Sequence, residues 1–152
     1  VFLGMQHTLA DGAVGATALG IAEAKCRLAF GPAVALGVMC NALVCLAVWL
    51  CLSARTTGDK ILSIVFPISA FVAAGFEHCV ANMYFVPAGL FIKDWADPAF
   101  WSAIGKTAAE FADLSWASFF LHNLIPVTLG NVIGGGVMVG LVYWAIYLRG
   151  RR

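Results

Sequence analysis

Gly75-Phe76-Glu77-His78-Cys79-Val80-Ala81-Asn82-Met83 is the stretch that decides the fold. It sits inside an apolar run that starts at Ile61 and keeps its apolar character to Pro87, yet it places a carboxylate, an imidazole and an amide in the middle of that run. The segment from Ile61 to Phe76 is only roughly half to two-thirds of a membrane crossing by helical rise. Gly75, just before Glu77, is where a helix would break. Residues 61–87 therefore predict a transmembrane span that is interrupted. A broken helix exposes N–H groups at the start of its second half, and these together with the half-helix dipole attract an anion. Free backbone groups cannot face lipid, so such a break lines a cavity or is buried in protein.

The rest of the chain has the composition of a membrane protein. Of its 152 residues 62% are hydrophobic and 11% charged, too few charges for a soluble domain to cover that much apolar surface. Upstream, residues 28–54 carry no charge, and a helix of that length is about 40 Å long, enough for a tilted first span. Residues 55–60 form a polar turn. Downstream, residues 124–148 are a third charge-free span, with Gly130-x-x-x-Gly134 and Gly136-x-x-x-Gly140 spacings that let another helix approach closely. Between spans two and three, residues 88–122 read as an interfacial loop. It holds interleaved Trp95, Trp101 and Trp116, and a helix expected over about 98–112 starting at Pro98. Residues 1–27 read as a short helix or linker entering the membrane, and the start at Val1 reads as the interior of a longer chain. Arg55, Lys60, Arg149, Arg151 and Arg152 fall on one side of a three-span topology, which places the tail 149–152 in the cytoplasm.

Several functions are excluded. A net charge of +1 offers no basic surface for nucleic acid. The five cysteines sit mostly in apolar runs without a C-x-x-C pair, so neither a disulfide framework nor a zinc site is expected. His7, His78 and His122 lack metal-ligand spacing, Gly134-Gly135-Gly136 has no following lysine, and no Ser-His-Asp set is visible. Neither an enzyme nor a bound cofactor is expected.

Ionisable groups at membrane depth face a partner or a water-filled cavity. His78 is thus the leading candidate for function, while Glu77 reads more as a structural ion-pair member. If the segment were helical, Phe71, His78 and Asn82 would align on one face at spacings of seven and four. Asn41 in span one is either a helix–helix hydrogen-bonding group or a pathway group, with Val44 three residues on. Lys25 either snorkels to the interface or pairs with Glu77. Asn131 reads as a packing residue, and His122-Asn123 as interfacial.

Three motifs in order carry a family resemblance: Cys40-Asn41-Ala42-Leu43-Val44-Cys45-Leu46-Ala47, then the 75–83 stretch, then Asn123-Leu124-Ile125-Pro126-Val127-Thr128-Leu129-Gly130-Asn131-Val132-Ile133-Gly134-Gly135. From about Ala22 onward the chain resembles the formate/nitrite transporter family, and its tail looks most like the formate-channel branch. The resemblance implies an all-α membrane protein, the second of two inverted three-span repeats in an aquaporin-like six-span fold. It also implies a homopentamer in the cytoplasmic (inner) membrane with one pore per protomer, passing formate, nitrite or related anions. Residues 1–27 would then include the end of a preceding span. His78 matches the central pore histidine; Asn41, Asn82, Glu77 and Lys25 match polar residues around it; Phe71 and Val44 match apolar constrictions. The alternative is a non-transporting scaffold subunit.

Overall fold

A computed structural model describes residues 2–150 of the chain; Val1 and the tail residues Arg151 and Arg152 lie outside the described residues. The described residues contain helices and turns and no strand. Helices α1 (Ala13–Cys26), α2 (Phe30–Ser53), α3 (Thr57–Ala73), α4 (Cys79–Trp95) and α5 (Pro98–Ile104) precede a final helix over residues 116–148. That final helix alternates α-helical Trp116–Ser118 and Ile125–Asn131 with wider π-helical stretches, Phe119–Leu124, Val132–Leu141 and Trp144–Leu148.

Among the described residues, Phe30–Ser53 and the run Ala108–Leu148 are long and apolar enough to cross a membrane. The helices α3 and α4 have 17 residues each. At about 25 Å, each falls short of a ~30 Å hydrocarbon core. Residues 61–87, expected as one interrupted span, are not one continuous helix: α3 ends at Ala73 and α4 begins at Cys79, with residues 74–78 non-helical or turned between them.

Element ends depart from the sequence expectation where caps or packing extend them. The first half-helix starts inside the polar turn because Thr56 and Asp59 form a reciprocal cap, Asp59 N–H donating to Thr56 Oγ1 at 3.1 Å and Thr56 N–H to Asp59 Oδ2 at 3.0 Å. The expected loop 88–122 is helical at both ends. Helix α4 runs on to Trp95 because Val86, Leu90 and Ile92 are buried in a core, and Lys93 Nζ donates to the carbonyls of Phe111 (2.8 Å) and Leu114 (2.7 Å). The final helix opens at Trp116, capped by Ser115. The helix expected over 98–112 stops at Ile104, where Gly105 turns left-handed. Ala10, Asp11 and Gly12 form a left-handed turn (φ 52°, 54° and 85°) that leads into α1. With 14 residues α1 is by itself shorter than a membrane crossing.

The chain divides into two compact units. One comprises the residues up to Phe30 together with Val80–Ile125. Its core packs Leu19, Ala22 and Cys26 of α1 against Val86, Leu90 and Ile92 of α4, closed by Phe100, Phe111, Leu114 and Phe119. The other comprises Gly31–Cys79 and the residues from Pro126 onward. There α2 meets the final helix backbone to backbone. A Cβ on Gly130 would strike the Val34 carbonyl and one on Gly134 the Val38 carbonyl, while a Cβ on Gly37 would lie 2.7 Å from the Val127 carbonyl oxygen. The Gly130-x-x-x-Gly134 spacing is therefore a helix contact. Gly136 and Gly140 meet only atoms of their own helix.

Two outcomes are expected. Gly134→Ala forces α2 and the final helix apart and costs about 1–3 kcal/mol as overpacking, read as a loss of thermal stability in detergent; Gly136→Ala, with open space beside it, does not. At the 55–60 turn, hydrogen bonds from the Thr56 side chain and then its backbone hold the Asp59 carboxyl below the ordinary aspartate range. A depressed carboxyl stabilises above its unfolded pKa and loses that contribution as pH falls through the folded value. Thr56→Ala should return the Asp59 titration midpoint, followed by NMR, toward the ordinary value; an unmoved midpoint would rule out the cap as the cause.

Candidate functional site at the broken span

The break is built from backbone chemistry. Helix α3 ends with Ala74 helical and Gly75 at φ +67°, a conformation glycine adopts without steric cost. Gly75 N–H donates to the Val72 carbonyl (3.1 Å) and Phe76 N–H to the Phe71 carbonyl (3.0 Å). This pair of bonds is the Schellman closure of a helix C-terminus. Phe76, Glu77 and His78 are non-helical, and the second half-helix restarts at Cys79.

One side chain takes up two of the groups freed by the break, the Cys79 N–H and the Glu77 carbonyl. Asn131, 4% exposed, accepts from Cys79 N–H at its Oδ1 (3.0 Å) and donates from Nδ2 to the carbonyls of Glu77 (3.0 Å) and Gly37 (2.9 Å). Its own carbonyl accepts from Asn41 Nδ2 at 2.7 Å. A broken helix is expected to offer the N–H groups at its restart to an anion. The structure commits the Cys79 N–H to Asn131 instead, because an unsatisfied backbone group at this depth is costly.

Around this clamp the unit that holds the break brings together four sequence-predicted residues. Phe71 and His78 have ring centroids 6.1 Å apart and planes inclined at 31°. They meet because the break folds the chain there, not through the continuous helical face that a spacing of seven implied. Asn41 and Glu77 are joined through Asn131, and Glu77 is buried at 5% exposure. Val44 lies on α2 three residues after Asn41 and is half-buried.

The remaining two predicted residues belong to the other unit. Asn82 is fully buried, and its Nδ2 donates to Asn123 Oδ1 at 2.7 Å. Asn123 Nδ2 donates to the Lys25 carbonyl at 3.0 Å. Lys25 Nζ stands 5.9 Å from the centroid of the Phe85 ring, a cation–π distance. Nearby Arg27 Nε donates to Asp113 Oδ2 at 2.7 Å; both side chains are more than half exposed, so the pair contributes little to stability.

Two amides do more than their sequence context implies. Asn123 was expected at the interface and is fully buried; Asn131 was expected to pack and instead closes the break. The available signal was an amide inside or abutting a charge-free apolar run, since a buried amide must find partners. Among the described residues no group of three or more His, Cys, Asp or Glu is placed to hold a metal ion.

A model of the formate/nitrite transporter family matches residues 1–145. The chain belongs to the formate/nitrite transporter family. Among members of that family, it is similar to the formate channel FocA of Escherichia coli (strain K12), 46% identical over 149 residues that make up 98% of this chain and 52% of the relative. It is also 46% identical over 112 residues to a probable formate transporter of Methanothermobacter thermautotrophicus, covering 74% of this chain and 34% of that protein. Among solved structures, a pentameric formate channel with formate bound superposes with a TM-score of 0.92 at 47% identity, covering 97% of this chain and 58% of that one. An ion channel of the formate/nitrite transporter family gives a TM-score of 0.70 at 30% identity, covering 95% of this chain and 52% of that one. The chain spans about half the length of the curated relatives it matches.

Asn131→Leu keeps an apolar side chain of similar size but leaves the Cys79 N–H and the Glu77 and Gly37 carbonyls without this partner. At about 1–3 kcal/mol for each buried group left unpaired, the loss should exceed that of Asn41→Leu, which removes one bond. Unfolding in detergent with both variants checks the order.

Proposed function

We propose that this chain supplies half of a transmembrane pathway for small monovalent anions, formate first and nitrite or related weak-acid anions next. The observation that carries this reading is a membrane span broken at Glu77-His78 and closed by Asn131, in a member of the formate/nitrite transporter family. A helix that passes lipid without handling cargo has no reason to break there, since the break demands a dedicated buried amide.

In this reading the chain is the second of two inverted three-span repeats, its spans being α2, the α3–α4 pair and the final helix. The name of the pentameric formate channel it resembles supports a homopentamer. A multi-pass position in the cytoplasmic membrane, with the 55–60 turn and the tail inside, follows from the arginines and lysines of those segments. Phe71 and Val44 act as apolar constrictions. Lys25 supplies positive potential that draws the anion, and Glu77, Asn41 and Asn82 hold the polar surroundings. His78 is the central group. Its imidazolium hydrogen-bonds formate and transfers one proton, so that formic acid crosses the second constriction neutral. The acid returns the proton to water on release, and the imidazole regains one from the entry side. An ordinary imidazole pKa of about 6.5 suits that exchange.

Proteoliposomes containing the full-length protein test the proposal. Formate flux is expected, rising as pH falls, and His78→Phe should remove the pH dependence and most of the flux. Unchanged flux and pH dependence in that variant would strip His78 of the role. No flux of formate, nitrite or hydrosulfide through the unmodified protein would leave a scaffold subunit as the better reading.

A further inference from the structure

We infer that Asn123 is a positioning residue, which sets the places of Lys25 and Asn82 for the anion through the two bonds of its side-chain amide. The inference rests on the transport reading above. Asn123 is fully buried, and its amide has an acceptor and donors pointing in opposed directions. The oxygen accepts from Asn82 Nδ2 at 2.7 Å, and the nitrogen donates to the Lys25 carbonyl at 3.0 Å. The first bond fixes which end of the Asn82 amide faces Asn123, and so turns the Asn82 oxygen the other way. The second pins the last turn of α1, from which the Lys25 side chain leaves toward Phe85, one helical turn beyond Asn82 on α4. One amide thus ties the cation-bearing turn, the amide-bearing helix and the final helix. Asn123 sits within the π-helical stretch Phe119–Leu124, and such widened turns recur at functional sites.

A purely structural tie in the same unit provides the contrast. Lys93 makes two bonds to the carbonyls of Phe111 and Leu114, and neither bond touches Lys25 or Asn82. Removing it should lower stability without changing how the anion is held.

The test uses the full-length protein in proteoliposomes, with formate as the probe and flux measured against formate concentration. N123D keeps an acceptor for Asn82 and loses the donor to the Lys25 carbonyl. It should raise half-saturating formate by about tenfold, the equivalent of one hydrogen bond, with maximal flux changed much less. In an N82A background the same substitution should add little, because both act through one network. K93M should lower the unfolding temperature and leave half-saturation where it was. Should N123D not assemble, N123S is read by the same criteria. If N82A raises half-saturation while the Asn123 variants do not, or do so additively, the positioning role is overturned and the transport reading stands. If N82A leaves half-saturation unchanged, Asn82 has no part in the pathway and the inference fails with that assignment.

Discussion

Every backbone amide and carbonyl freed inside a bilayer must find a partner within the protein, and at residues 74–79 one side chain meets part of that demand. The Asn131 amide spans the gap between two half-helices, taking the Cys79 N–H on one side and giving to the Glu77 and Gly37 carbonyls on the other. Water would serve those groups in a soluble protein. In lipid the alternative is an unpaired dipole whose cost rivals the net stability of a domain. The non-helical Phe76-Glu77-His78 segment is sustainable because this amide is there, and the imidazole is presented where it is because the segment is non-helical.

The same logic recurs at Asn123, with a different result. Asn131 stabilises backbone, whereas Asn123 joins a side chain, Asn82, to a backbone carbonyl at the turn that bears Lys25. Both amides are buried and charge-neutral, so they orient their partners without adding a net charge. The exposed Arg27–Asp113 pair differs in kind: it is solvated, screened by salt and dispensable to the interior.

Much of this was legible in the residues. An uncharged run such as 28–54 leaves little but a helix in lipid, and a Glu-His pair in an apolar segment announces a break or a cavity. The ends of elements were less legible. The helix through Lys93-Asp94 persists because of Val86, Leu90 and Ile92 on its buried side and two distant carbonyls on Lys93, and no local propensity encodes those. Asn131 and Asn123 were visible as amides in or beside an apolar run, but a sequence does not say whether such an amide meets a neighbouring helix, a cap or water. Phe71 and His78 were paired by a helical spacing, and they are neighbours for a different reason, the left-handed Gly75. Phe71 and Val44, both apolar, are residues that periodicity alone leaves as core or lipid contacts; only the family motifs single out Val44.

The bare contact between α2 and the final helix carries a consequence for variation. Where Gly37, Gly130 and Gly134 let main chain rest on main chain, no side chain remains that could be enlarged or trimmed to change the spacing. The two helices are therefore locked in register like a ratchet with its pawl seated, and Asn131, set between two of those glycines, inherits the lock. Descendants of this sequence can exchange side chains elsewhere, while the amide that bridges the gap keeps a fixed place against α2.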